Sequence, residues 1–235
     1  MIVDSNERGF TKENIKAISQ TAESTKKGKI NLIGEKGIGF KSVFRVARKV
    51  HIQSEPFSFA FIHEDNDNGL GMVTPLNEAY LTVPPGVQTR MILYLRHKKD
   101  FESTKEELRA LPNTLLLFLK KLKRLEISIK SRRSRYWTAS YSLKQTDSFN
   151  SKNRLTITRL EAGTSTEYHF WIKKRTVDDM PNHEARPEMD QAEVALAFPL
   201  DRDDRPIMKN QWISAYLPVR EEGFTVCSFM GKIRI

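Results

Sequence analysis

A single cysteine, Cys227, stands in 235 residues. One thiol excludes an internal disulfide framework and any multi-cysteine zinc site, so Cys227 reads as a small, half-buried hydrophobe. Long apolar runs are missing as well. Nothing approaches the roughly 20 residues needed to span a membrane, and the opening MIVDSNERGF lacks the basic head and apolar stretch of a signal peptide. These absences predict a soluble protein of the cytoplasm or nucleus, neither membrane-bound nor secreted. The five histidines, His51, His63, His97, His169 and His183, are scattered without metal-ligand spacing, and the lone cysteine has no evident partner for nucleophilic chemistry. HEDNDNG, from His63 to Gly69, lacks the closing glutamate of a calcium loop and reads as a turn. Glycine is sparse too, with 11 in the chain, yet Gly34, Gly37 and Gly39 fall within six residues.

What the chain has in excess is positive charge. Its 39 Lys and Arg against 29 Asp and Glu give a net charge of +10 and a pI near 9.6. The densest cluster is KKLKRLEISIKSRRSR, Lys120 to Arg135, where eight of sixteen residues are basic and Glu126 is the one acid. Such a cluster can follow a nucleic-acid backbone. However, Leu115, Leu116, Phe118, Leu119 and Leu122 recur at helical spacing, which makes the intervening lysines the solvated face of an amphipathic helix, the preferred reading. A hydrophobic fraction of 39% with 13 Phe suits a globular fold, and the length suits one large domain or two small ones.

Glycines this dense let a backbone come close to a ligand, and bare N–H groups attract phosphate. In GEKGIGFKS, Gly34 to Ser42, Phe40 separates Gly39 from Lys41, whereas Walker A needs lysine directly after the last glycine. Ser42 occupies the place of the third glycine in a dinucleotide fingerprint. What remains is a G-x-x-G-x-G turn. Phe40, Val43, Phe44, Ala47 and Val50 follow at i, i+3, i+4, i+7 and i+10, a spacing that predicts a helix with one buried face and Lys41 on its solvated side.

Ahead of the turn, Thr11 reads as an N-cap, with Asn14 in the capping-box position of a helix that carries Ile15 and Ile18 and fades near Glu23. STKKGKIN, residues 24–31, reads as loop. Beyond the turn, VHIQS, FSFAFIH, GMVTPL and TRMILYLR read as strands, Glu102 to Arg109 and Asn113 to Arg124 as helices, and LEISI as a strand. From Tyr136 onward, RYWTASYSL, NRLTITRL, TEYHFWIKKR, EVALAFPL and ISAYLPVR read as strands, with VDDMPNHEARPEMDQ as the most flexible loop. The change of texture across Lys130 to Arg135 predicts two domains, 1–131 and 136–235.

Taken together, NERGF, STKK, GEKGIGFKSVFRV, GVQT before a strand, and the distal ALAFPLD and AYLPVREEGF form a set. It resembles the GHKL ATP-binding domains of gyrase, the ninety-kilodalton heat-shock chaperones, histidine kinases and MutL, and within them the sacsin-like or Nov-type branch. The specific motifs cover the first ~95 residues. The resemblance implies a two-layer α/β sandwich of GHKL (Bergerat) type with a mostly antiparallel sheet, followed by a smaller β-rich region. It implies ATP as cofactor, leaves Mg²⁺ open, and implies a protein partner or client ahead of nucleic acid.

Residue by residue, the resemblance makes Asp4 the carboxylate that reads adenine, with Gly9 passing beneath the ring. The family spacing points at Ser5, so Asp4 would need a one-residue bulge to reach the site. Gly34, Gly37, Ile38, Gly39 and Phe40 would turn their backbone toward the phosphates, Phe40 also anchoring the turn in the core. Ser24, Thr25 and Lys26 would belong to the lid, and Thr89 would support the adenine-binding carboxylate. The family's first helix, which carries a water-activating Glu and a Mg²⁺-holding Asn, has no match ahead of Asp4. The chain therefore reads as an N-terminally truncated ATP-binding domain with weak binding and little or no hydrolysis, a pseudoenzyme. The alternative is a basic, non-enzymatic interaction module that keeps the fold without a working pocket.

Overall fold

The computed structural model describes residues 1–19, 39–64, 74–119, 121–130, 136–145, 153–178, 191–207, 210–215 and 217–225. The chain divides into two compact units, Met1–Glu106 and Glu107–Ile235. Among the described residues no helix is long and apolar enough to cross a membrane.

The first unit is organised by alternation. Strands β1 (Ile2–Ser5), β2 (Ala47–Ser54), β3 (Phe57–Ile62), β4 (Leu76–Asn77) and β5 (Thr89–Leu95) form one antiparallel sheet in the order β1-β5-β2-β3-β4. Side chains two residues apart share a face, so Phe57, Phe59 and Phe61 of β3 share one face with Ala47, Val50 and Ile52 of β2 and with Met91, Leu93 and Leu95 of β5. This face is the core. It is covered by Ile15 and Ile18 of helix α1 (Lys12–Ser19) and by Phe40, Val43 and Phe44 of a 3₁₀ helix, Phe40–Arg45. Helix α1 starts as its sequence predicts. The Thr11 N–H donates to Asn14 Oδ1 at 3.0 Å and the Asn14 N–H to Thr11 Oγ1 at 3.3 Å, a reciprocal cap in which asparagine does the work of glutamate.

The second unit is a meander. Strands β6 (Arg124–Ile129), β7 (Trp137–Gln145), β8 (Arg154–Glu161), β9 (Thr164–Val177) and β10 (Ala192–Leu200) pair in sequential order, and β11 (Asn210–Ala215) pairs with β12 (Leu217–Thr225) in a separate ribbon. Ala162 and Gly163, at φ 50 and 83, make the two-residue turn between β8 and β9, the doubly left-handed geometry that matches strand twist. Tyr141, Ile157, Phe170, Ile172, Ile127 and Ile129 bury one face of this sheet beneath Leu116 and Leu117.

Several expectations are corrected here. The two-layer α/β sandwich is overturned: the chain is chiefly antiparallel sheet, with α1 and α2 (Lys98–Arg109) as the α-helices among the described residues. The apolar spacing after Gly39 does not extend one helix. Phe40, Val43 and Phe44 are satisfied by the short 3₁₀ helix, while Ala47 and Val50 belong to β2, where β-branched Val50 and Ile52 favour extended chain. The helix expected from Asn113 to Arg124 is likewise a single 3₁₀ turn, Leu115–Leu117. The basic residues Lys121, Lys123, Arg124 and Lys130 are therefore not the wet side of a helix. They are exposed before, on and just after β6, an edge strand. Leu116, Leu117, Ile127 and Ile129 pack with β7, β8 and β9 within the second unit, Glu107–Ile235. HEDNDNG beyond Glu64 and most of VDDMPNHEARPEMDQ lie outside the described residues.

Candidate functional site

Polar groups on a buried apolar sheet face need partners, and on the core face of the first sheet they cluster at one end. Ser54, fully buried, and Thr89, 2% exposed, stand side by side at the end of β2 and the start of β5, with Ser5 of β1 across from Thr89. Thr89 Oγ1 donates to Ser54 Oγ at 2.9 Å, and the Phe10 N–H donates to the same oxygen at 2.7 Å. Gly9, at φ +81, delivers the chain to this point. A Cβ built on Gly9 comes within 3.1 Å of Ser54 Oγ, so both conformation and space require glycine there. Around Ser5, the Gln88 N–H donates to the Ser5 carbonyl at 2.9 Å and the Glu7 N–H to Ser5 Oγ at 3.2 Å. Gly9→Ala is expected to destabilise the first unit by about 1–2 kcal/mol, the cost of a left-handed alanine, read as a lowered urea midpoint.

Asp4 is elsewhere. The β1–β5 ladder runs in regular register, Asp4 across from Arg90 and Ser5 across from Thr89, without the bulge that would turn Asp4 toward Thr89. Asp4 therefore points to the opposite face, where its two oxygens accept from Arg90 Nε and Nη2, each at 2.7 Å. That pairing, chiefly through the hydrogen bond, holds the Arg90 guanidinium above its ordinary pKa. Thr89 is brought together with Gly9 and Phe10, not with Asp4.

The glycine turn enters the described residues at Gly39. Ser24, Thr25, Lys26, Gly34, Gly37 and Ile38 lie outside them. Gly39 is exposed, its backbone is helical at φ −57, ψ −43, and a Cβ built on it meets nothing within 4 Å among the described residues. Phe40 turns its ring into the core, 6.0 Å from Phe44 and 5.5 Å from Phe61. The Ser42 hydroxyl donates to the Gly39 carbonyl at 2.7 Å, closing the turn. Lys41 is not the solvated side chain its position predicted. Its Nζ donates to the Ile18 carbonyl at 2.8 Å, near the end of α1, and lies 5.2 Å from the Phe61 ring. Burial lowers its pKa. Phe61, against which the Phe40 ring packs, and Phe57, paired with the Ser54 that Gly9 approaches, lie on one sheet face about 13 Å apart along β3.

Ser54, the hub of the polar cluster, went unread in the sequence. It ends VHIQS with no motif of its own, and only strand register sets it beside Thr89 and beneath Gly9. No family model matches the chain. Over 85 residues, 36% of its length, the chain is 44% identical to Protein NO VEIN of Arabidopsis thaliana, and it covers only 3% of that protein. The likeness is thus to one small part of a much longer plant protein.

Proposed function

We propose that the first unit binds adenine nucleotide weakly, with little or no hydrolysis, as a region related through its motifs to the GHKL ATPases and, among them, to the Nov-type proteins. The relation is one of motifs; the helix-backed sandwich of those ATPases forms no part of it. The observation that carries the reading is the left-handed Gly9 held against the buried Ser54 and Thr89 hydroxyls, at one end of an apolar face whose other end carries the Phe40 ring, next to the exposed Gly39. A flat base suits a glycine-floored edge with hydroxyls beside it, and phosphates suit a glycine turn that a backbone can approach.

Weak turnover follows from the same face. The strand positions on it are Val3, Ser5, Ala47, Val50, Ile52, Ser54, Phe57, Phe59, Phe61, Thr89, Met91, Leu93 and Leu95. None is a carboxylate able to activate water or hold a metal against phosphate. Asp4, the carboxylate the motif assigns to adenine, is engaged by Arg90 behind the sheet. The test is a titration with labelled ATP and Mg²⁺, followed by phosphate release at saturation with Gly39→Val as the blank. Saturable weak binding without release above the blank is expected. Absence of saturable binding overturns the reading, and release above the blank overturns its non-hydrolytic half.

A further inference from the structure

The back of the first sheet, opposite the apolar core face, carries a polar network roofed by an irregular strap, residues 78–82. Every tie between strap and sheet is polar. Glu78 receives Lys49 Nζ at 2.9 Å, and its N–H donates to the Ser58 carbonyl at 3.2 Å. The Ala79 carbonyl receives the Ser58 hydroxyl at 3.4 Å, Leu81 receives Gln53 Nε2 at 2.8 Å, and Thr82 receives Arg90 Nη1 at 3.1 Å. The Tyr80 hydroxyl donates to the Phe57 carbonyl at 3.0 Å. Meanwhile the Tyr80 and Leu81 side chains, 51% and 47% exposed, add little apolar burial. A segment held by hydrogen bonds with few apolar contacts sits at the low end of local stability.

Beneath this network lies His51, 1% exposed. One ring nitrogen, Nε2, is 2.9 Å from Ser58 Oγ; the other, Nδ1, is buried with no partner among the described residues, as is Oε1 of the neighbouring Gln53. An imidazolium would place a second N–H, and a full charge, where nothing accepts it.

We propose that residues 78–82 are a pH-responsive strap, closed over neutral His51 and released when His51 is protonated. Among the described residues, the titratable groups on this side of the sheet are Lys49 on β2, Glu78 and Tyr80 on the strap, Arg90 and Tyr94 on β5 and Asp4 on β1, with no titratable side chain from β3 facing His51. Arg90 and Asp4 neutralise each other. Lys49 and Glu78 are paired, Glu78 favouring and Lys49 opposing a charge on His51. Burial is the larger influence and holds the His51 pKa below its ordinary 6.5. The closed strap thus binds fewer protons than the open one. Closure has its full stability above pH 6.5 and loses it as pH falls from there toward the depressed value.

The test is amide exchange across residues 76–82 of the full chain at pH 7.5 and 5.5, corrected for intrinsic rates. Protection is expected to fall between the two, by at most about tenfold, the ceiling that a group of pKa 6.5 in the open state sets one unit below that value. β2 and β5 should keep their protection. His51→Gln should abolish the pH dependence, whereas Glu78→Gln should loosen the strap at both pH values and preserve it. Strap protection independent of pH, or a pH dependence that survives His51→Gln, overturns the proposal. Should His51→Gln fail to fold, NMR titration of His51 in the unmodified protein decides the matter: an ordinary or raised pKa sinks the strap mechanism.

Discussion

Replacement of Gly39 by valine is expected to abolish adenine-nucleotide binding while leaving stability within about 0.5 kcal/mol, since the new side chain enters space empty of described neighbours and the backbone is already helical. Among the described residues nothing meets such a side chain, so the obstruction expected is of an approaching ligand. Lys41→Ala should do the reverse. Loss of the bond to the Ile18 carbonyl and of the contact with the Phe61 ring should cost about 1–2 kcal/mol of stability, with the smaller effect on affinity. Parallel titrations with labelled ATP and thermal melts of the two variants separate these outcomes. Affinity lost with Lys41→Ala and kept with Gly39→Val would mean that the lysine, not the glycine backbone, holds phosphate.

Phe61→Ala should be the most damaging single truncation in the first unit, at about 3–5 kcal/mol. Phe61 is fully buried, with ring neighbours Phe40 at 5.5 Å and Phe59 at 5.7 Å, and with Lys41 over it. Its loss unseats the sheet face, the 3₁₀ helix and the lysine tie to α1 together. Tyr94→Ala, by comparison, removes a side chain 38% exposed and should cost under about 1 kcal/mol. Urea unfolding followed through the exchange of β2 and β3 amides measures both. A Phe61→Ala midpoint equal to that of Tyr94→Ala would show that the aromatic cluster does not hold the unit.

The strands were legible wherever one face alternates with the other. FSFAFIH became β3 and TRMILYLR became β5 because period-two hydrophobicity has few other physical solutions. Likewise RYWTASYSL, NRLTITRL and EVALAFPL became β7, β8 and β10. The stretch after Gly39 was illegible because three apolar residues at helical spacing fit a 3₁₀ turn as readily as an α-helix. Its next two, Ala47 and Val50, keep the helical count across a strand whose register against β5 shifts between Ala47 and Lys49. Asp4 and Thr89 show a different blind spot. Each was visible as a residue, but which face each takes depends on pairing between segments 85 positions apart, and a shift of one residue exchanges the faces. Lys41 fails for a third reason: a lysine beside a phenylalanine looks solvated until the carbonyl that receives it is known.

The two sheets also differ in when they can form. In the second unit each of β6 to β9 pairs with its immediate successor, so the meander can grow hairpin by hairpin as the chain emerges. In the first unit β2 and β3 make a local hairpin, but β1 has no partner until β5 exists, and the Asp4–Arg90 pair closes a loop of 86 residues. Such a closure pays its chain entropy before any contact returns it. The N-terminal strand is therefore the last piece of its sheet to dock, and Ser5 and Gly9 reach Thr89 and Ser54 only at that final step.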